Sequence, residues 1–241
     1  MRPRTPKRMP TTAMVLAAGL GLRMRPLTET LPKPLIEVGG RALIDRVLDR
    51  LTEAGVRRAV VNVHHLAAML CQHLKARTTP EIIISDESEF LADTGGGVAN
   101  ALTLLGEDRF FVVNSDMIWR NRERDCLHSL AEAWDDGRMD AILLMQPREH
   151  ATAYGGVGDF DWGAHGRLTR QRGDSAALVF TGIQILHARL FDGAPGAAFS
   201  LNQLYDRAAA AGRLFGLAHA GDWVDVGTPA GLVAAERMLG V

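Results

Sequence analysis

Read from the amino end, the apolar positions of this chain keep two alternating rhythms. Residues 12–18, "TAMVLAA", form an unbroken apolar run, the pattern of a strand buried on both faces. Leu43, Ile44, Val47, Leu48 and Leu51 then recur at helical spacing, with Asp45, Arg46, Asp49 and Arg50 on the outer face and Gly55 placed to cap the end. The alternation continues with a strand over 57–63, a helix over 66–74 and a strand over 81–86. A short helix over 98–105, a strand over 109–116, a helix over 124–137 and a strand over 140–146 follow. Strands alternating with helices predict an α/β fold: a Rossmann-like mixed, mainly parallel sheet with helices on both faces.

After His150 the pattern changes. Residues 153–173 and 177–186 read as strands joined by glycine turns, with Trp119, Trp134, Trp162 and Trp223 as packing residues. A helix over 200–211, a strand over 214–220 and a closing helix from Pro229 complete the chain. No internal repeat, hexapeptide pattern or long linker interrupts it, which predicts a single domain over 12–241 with two unequal lobes.

Composition narrows the class. An apolar fraction of 47% and a charged fraction of 23% over 241 residues are those of an ordinary globular protein with one sizeable core. The longest apolar runs, such as 141–145, are too short to span a bilayer, and the start carries no signal-peptide pattern. The two cysteines, Cys71 and Cys126, make no metal-ligand pattern and read as buried free thiols. These features predict a cytoplasmic protein without a membrane partner. Four of the 27 basic residues, Arg2, Arg4, Lys7 and Arg8, lie in the first eight positions. Residues 1–11 therefore read as a disordered basic tail on a net-acidic body, a poor footprint for nucleic acid.

The loop after the first strand, "AAGLGLRMRPLTETLPKPL", sits where open parallel sheets bind ligands. Gly19 and Gly21 let backbone N–H groups approach an anion, Arg23 offers a planar fork for phosphate oxygens, and Lys33 a compact charge between two prolines. A polyphosphate fits this set. Met24 stands where a dinucleotide fingerprint needs glycine or alanine, and no Gly-Lys-Ser/Thr of a P-loop occurs. His64 and His65 have no carboxylate or histidine at metal-ligand spacing and read as structural.

"LAAGLGLRMRPLT…PKPL" resembles the signature of the sugar-1-phosphate nucleotidyltransferases, the nucleoside-diphosphate-sugar pyrophosphorylases. "LADTGGGVANAL", "VVNSD", "YGGVGDF" and "WVDVGTP" extend the resemblance over nearly the whole chain. The triple glycine, "FTGIQILHARLF" and "GDWVDVGTPAGL" are most similar to the N-acetylmuramate-1-phosphate uridylyltransferases of cell-wall sugar recycling. The resemblance implies a transfer between a nucleoside triphosphate, UTP first, and a sugar 1-phosphate, with Mg²⁺ as cofactor. The pairs GTP with mannose 1-phosphate and dTTP or UTP with glucose 1-phosphate are the alternatives, and a non-catalytic nucleotide-sugar sensor is the rival from another class.

By the same resemblance Arg23 and Lys33 are the catalytic cations. Leu16, Ala17, Ala18, Gly19, Gly21, Arg23, Glu87, Thr94, Gly95, Gly96 and Asp116 hold the nucleotide, Glu89 being a second candidate at the base edge. Asn114, Tyr154, Gly155, Thr181 and Gly182 face the sugar, and Asp116 and Asp225 hold the metal. Residues 12–150 form the nucleotide half and 151–241 the sugar half of a monomer or small homo-oligomer. Many relatives carry a lysine before the second sugar-side strand; here "RLTRQRGDSA" offers only Arg170 and Arg172 in its place.

Overall fold

The computed structural model describes residues 9–171 and 177–241. Its centre is a nine-stranded, mixed sheet. The parallel part is built from β1 (Thr12–Leu16), α1 (Leu43–Glu53), β2 (Arg58–Val63), α2 (Ala67–Leu74), β3 (Glu81–Asp86), α3 (Asp93–Leu105) and β4 (Arg109–Asn114). Its strand order is β4-β1-β2-β3, with Val15 beside Val113 on one side and Val61 on the other.

Strand β5 (Met117–Arg120) leaves this sheet and is followed by α4 (Cys126–Ala133). The chain returns through β6 (Ala141–Pro147), the hairpin β7 (Phe160–Trp162) and β8 (Leu168–Arg170), and the long β9 (Leu178–His187). Strand β9 runs antiparallel to both β4 and β6, so the far side of the sheet is mixed. Helix α5 (Leu201–Ala210), edge strand β10 (Leu214–Ala218), strand β11 (Asp222–Asp225) and α6 (Pro229–Leu239) end the fold.

The unbroken apolar strands are explained by burial on both faces. Ala13, Val15, Ala59, Val61, Phe111 and Val113 pack with Val47, Leu48 and Leu51 of α1 and Leu130 of α4. Their neighbours Met14, Val60, Phe110 and Val112 point the other way, onto Val98 and Leu105 of α3 and Leu204 of α5. Each fully buried leucine or valine stabilises the fold by about 1.5–3 kcal/mol relative to exposure. A third cluster, Met24, Ile36, Val38, Leu43, Val224, Val226 and Ala235, lies under the glycine loop and anchors it to α6.

Several sequence expectations move. Pro10 is buried and the Thr11 N–H donates to Glu107 at 3.1 Å, so the ordered chain starts before Thr12; residues 1–8 of the expected tail lie outside the described residues. Helix α3 begins at Asp93, not Val98, taking the triple glycine into its first turns. Strand in the "YGGVGDF" stretch is limited to Phe160, where the hairpin β7–β8 starts. Trp162 is exposed at 45%, unlike the three other tryptophans, and Cys71 is only partly buried. No helix among the described residues is long and apolar enough to cross a membrane.

Candidate active site

Two clefts lie side by side over the carboxyl ends of the strands. The first, about 380 Å³, is lined by Leu16, Ala17, Ala18 and Gly19 after β1, by Lys33, and by Glu87, Thr94, Asn114 and Asp116. The second, about 350 Å³, is lined by Arg23, Asn114, Asp116, Tyr154, Thr181, Gly182 and Asp225. Asn114 and Asp116 belong to both, so the clefts meet at the end of β4.

At that junction Lys33 points its amine onto Asp116 Oδ2 at 2.5 Å. The lysine lies in a single 3-10 turn framed by Pro32 and Pro34, and its side chain is only 10% exposed. Fixed proline φ angles hold that turn without using a backbone N–H. Asp225 reaches the same place from the far end of the chain. Strand β11 pairs with β5 so that Asp225 faces Met117, and Val226 N–H donates to the Asp116 carbonyl at 3.0 Å. Burial, and next the neighbouring charge of Asp116, push the Asp225 carboxyl above its ordinary pKa. Arg23 is 3.9 Å from Asp225, with its side chain 67% exposed, and remains able to turn toward a ligand.

The glycine loop has a built-in shape. Gly21 has a left-handed φ of +63°, and a Cβ there would fall 2.8 Å from Thr28 Cγ2. Thr28 donates to the Gly21 carbonyl at 2.8 Å, and His65 bonds the Thr28 carbonyl at 2.8 Å. His64 bonds the Glu87 carbonyl at 2.6 Å, so both histidines serve the backbone. Around Gly19 a Cβ would meet nothing within 4 Å, which leaves its backbone open to the cleft.

The expected base-side residues divide. Glu87 is buried, and its two oxygens accept from Asn62 Nδ2 at 2.9 Å and Ala92 N–H at 3.1 Å, so it braces the cleft floor that it helps to line. Glu89 is exposed and outside the lining. Gly95 and Gly96 both donate their N–H groups to the Phe199 carbonyl, at 2.8 and 3.1 Å. A Cβ on Gly95 would collide with the Phe199 ring at 2.3 Å. These two glycines are therefore where α3 packs against the 197–199 segment, and their amides are not available as expected.

On the sugar side, Thr181 is buried and donates to the Leu144 carbonyl at 2.8 Å, while its own carbonyl accepts from Trp223 at 3.0 Å. Gly182, with φ +80°, sits in a bulge of β9, and a Cβ there would lie 2.8 Å from Asn114 Nδ2. Tyr154 faces the cleft and donates to Asp159, whose carboxyl is pushed above its ordinary pKa by burial. Gly155 is exposed and does not line the cleft. Arg170 does, held by Asp206 through Nε and Nη2, each at 2.6 Å. Arg172 lies outside the described residues.

Sequence reasoning missed Asn62, Asp93 and Asp159. Asn62 was the legible one, a polar residue in the apolar strand "AVVNV". Its Oδ1 accepts Ala17 N–H at 2.7 Å while Nδ2 holds Glu87, tying β1, β2 and β3 beneath the first cleft. Asn62→Ala strands a buried N–H and a buried carboxylate oxygen. The expected loss is about 2–4 kcal/mol of unfolding free energy, read as a lower urea midpoint at unchanged slope.

Comparison with known proteins matches the chain to a family. The protein-family model described as nucleotidyl transferase matches residues 12–172. The chain is 44% identical over 235 residues to the N-acetylmuramate alpha-1-phosphate uridylyltransferase of Caulobacter vibrioides, covering 95% of this chain and 97% of that protein. It is 32% identical to the enzyme of the same name from Neisseria meningitidis serogroup B, over 95% of this chain and 98% of that one. Among solved structures, the inositol-1-phosphate CTP transferase from T. maritima superposes with a TM-score of 0.76 at 17% identity, covering 96% of this chain and 97% of that one. That likeness is one of fold.

Proposed function

The chain belongs to the nucleotidyl transferase family, and from that premise we propose that it transfers the uridylyl group of UTP to N-acetylmuramate 1-phosphate, releasing pyrophosphate, with Mg²⁺ as its metal. Two full-length relatives that carry this activity in their names support the choice of substrates. The observation that carries the chemistry is the meeting of two clefts at Asn114 and Asp116, with the Lys33 amine on Asp116. One cleft takes the triphosphate, the other the sugar phosphate, and the reacting atoms meet at the junction. The reading places the enzyme in the cytoplasm and in the recycling of cell-wall sugars.

A phosphate monoester is an anion near neutral pH, its second pKa being about 6, so no serine, cysteine or histidine nucleophile is needed. An oxygen of the sugar phosphate attacks the α-phosphorus of UTP. A new O–P bond forms as the α–β bridging bond breaks, and the electron pair leaves on pyrophosphate. What the protein supplies is position and positive charge. The open backbone at Gly19 in the first cleft receives the β and γ phosphates, and the exposed fork of Arg23, which lines the second cleft, turns toward them across the junction. Lys33, set between the incoming and attacked phosphates, offsets their mutual repulsion. Asn114 orients the sugar side, with Thr181 bracing its wall, and Arg170, which lines the second cleft, is the candidate to take over from the lysine that many relatives carry.

Asp116 and Asp225 suit a hard divalent cation. Two carboxylates brought together at a phosphate site, one of them raised by burial and by the other's charge, form an oxygen-rich set that a cation satisfies. Bound there, Mg²⁺ supplies charge neutralisation of the phosphates.

The test is pyrophosphate release with Mg²⁺, crossing UTP, dTTP, GTP, CTP and ATP with the 1-phosphates of N-acetylmuramate, N-acetylglucosamine, glucose and mannose. Release with UTP and N-acetylmuramate 1-phosphate above every other pair is expected. Another productive pair keeps the chemistry and replaces the substrates. Silence with nucleotide still bound would favour the sensor.

A further inference from the structure

The first cleft crosses the ends of four neighbouring parallel strands in the order β4, β1, β2, β3. At a spacing of about 4.8 Å its floor spans about 14 Å, enough to lay out a nucleoside monophosphate across it. Lys33 and Asp116 mark the phosphate end, over β4. The base therefore lies at the opposite end, over β3 and under the start of α3. The polar side chains that line this end are Asn62, Glu87, Asp93 and Thr94.

Each of the four holds a hydrogen bond, and they differ in what is left over. Asn62 uses both ends of its amide, and Glu87 both oxygens. Thr94 Oγ1 accepts from Leu201 N–H at 3.0 Å. Asp93 is exposed, and its Oδ1 accepts the adjacent Thr94 N–H at 2.5 Å, while Oδ2 has no hydrogen-bond partner among the described residues. Its backbone stands at φ +59°, the left-handed region, which turns it out of the helix it begins. Aspartate and asparagine are the side-chain-bearing residues that tolerate that region most readily.

We infer that Asp93 reads the base, its carboxylate accepting the N3–H of uracil. This rests on the UTP reading above. Uracil presents a donor at N3 and cytosine a bare lone pair, so a carboxylate there attracts the first and repels the second. Asp93 is thus a specificity residue for uridine over cytidine nucleotides, while the phosphate loop treats both alike.

Asparagine at the same position separates this role from a structural one. Asp93→Asn keeps an oxygen for Thr94 N–H and tolerates the same φ, but turns the acceptor-only edge into one that also donates. Equilibrium titrations of the full chain with UTP and with CTP, in the presence of Mg²⁺, supply the readout. Wild type is expected to bind UTP at least about tenfold more tightly than CTP. In Asp93→Asn the ratio should fall to within about threefold, chiefly through tighter CTP binding, with the melting temperature unchanged. Should that variant fold poorly, Asp93→Ala is expected to weaken UTP by about tenfold and, with the repulsion gone, to bind CTP no more weakly than wild type does. A folded Asp93→Asn, or Asp93→Ala, that keeps the wild-type ratio overturns the assignment and leaves the UTP reading intact. A wild type that does not prefer UTP overturns that reading, and the uracil assignment with it.

Discussion

Lys33→Ala is expected to lower turnover by about 10²- to 10³-fold while the dissociation constant for UTP changes by no more than a few-fold. The asymmetry follows from position. Lys33 stands at the seam between the clefts, where charge concentrates only when both substrates are present and the α-phosphorus is under attack. An interaction that strengthens in the transition state appears in turnover and little in ground-state binding. Loss of one preorganised group aimed at developing charge costs about 2.7–4 kcal/mol in comparable sites. The nucleotide meanwhile keeps the glycine loop and the base end of its cleft. Lys33→Met controls for volume, since the side chain is buried: an equal loss in both variants assigns the effect to charge. Turnover at the wild-type level in either would remove Lys33 from the chemistry.

Asp225→Asn separates activity from stability in the opposite direction. Turnover should fall by about 10²-fold or more, and the Mg²⁺ concentration for half-maximal rate should rise, because an amide oxygen is a weaker ligand for a hard cation. The fold should not suffer. Asp225 lies largely buried beside Asp116, with the exposed Arg23 as its ion-pair partner at 3.9 Å, and the substitution removes one of two like charges at the cost of few contacts. The expected melting temperature is equal to wild type or a few degrees higher, about 2–4 °C for each kcal/mol of relieved repulsion in a chain of this size. Calorimetry alongside a Mg²⁺ titration of the rate reads both arms. Retained activity with unchanged Mg²⁺ dependence would take Asp225 out of the metal set.

The sequence carried the scaffold well because the strands are buried on both faces and so read as unbroken apolar runs. It carried the phosphate loop because a ligand-facing loop has its own chemistry: Gly21, Arg23 and the prolines about Lys33 are explicable locally. Resemblance, more than spacing, paired Asp116 with Asp225, and the antiparallel register of β11 on β5 supplies the physical reason. What stayed hidden depends on contacts from elsewhere in the chain. Gly95 and Gly96 look like a ligand loop until Phe199 arrives to take their N–H groups. Glu87 looks free until Asn62, one strand away, claims it. Gly182 reads as a sugar-side residue on an ordinary strand, and only its left-handed φ and the nearness of Asn114 disclose the bulge in which it sits. Asp93 was invisible because what sets it apart is one oxygen, Oδ2, without a partner among the described residues, beside neighbours that brace the fold.

The proposed transfer is direct across the junction, with no protein group taking the uridylyl moiety. The steric course at phosphorus tests it most directly: UTP chiral at the α-phosphorus by thio substitution, turned over with N-acetylmuramate 1-phosphate, and the configuration of the UDP-sugar product read by phosphorus NMR. A single in-line displacement predicts inversion. Retention would mean two displacements through a covalent enzyme intermediate, and would contradict the roles of Lys33, Asp116 and the two clefts they join.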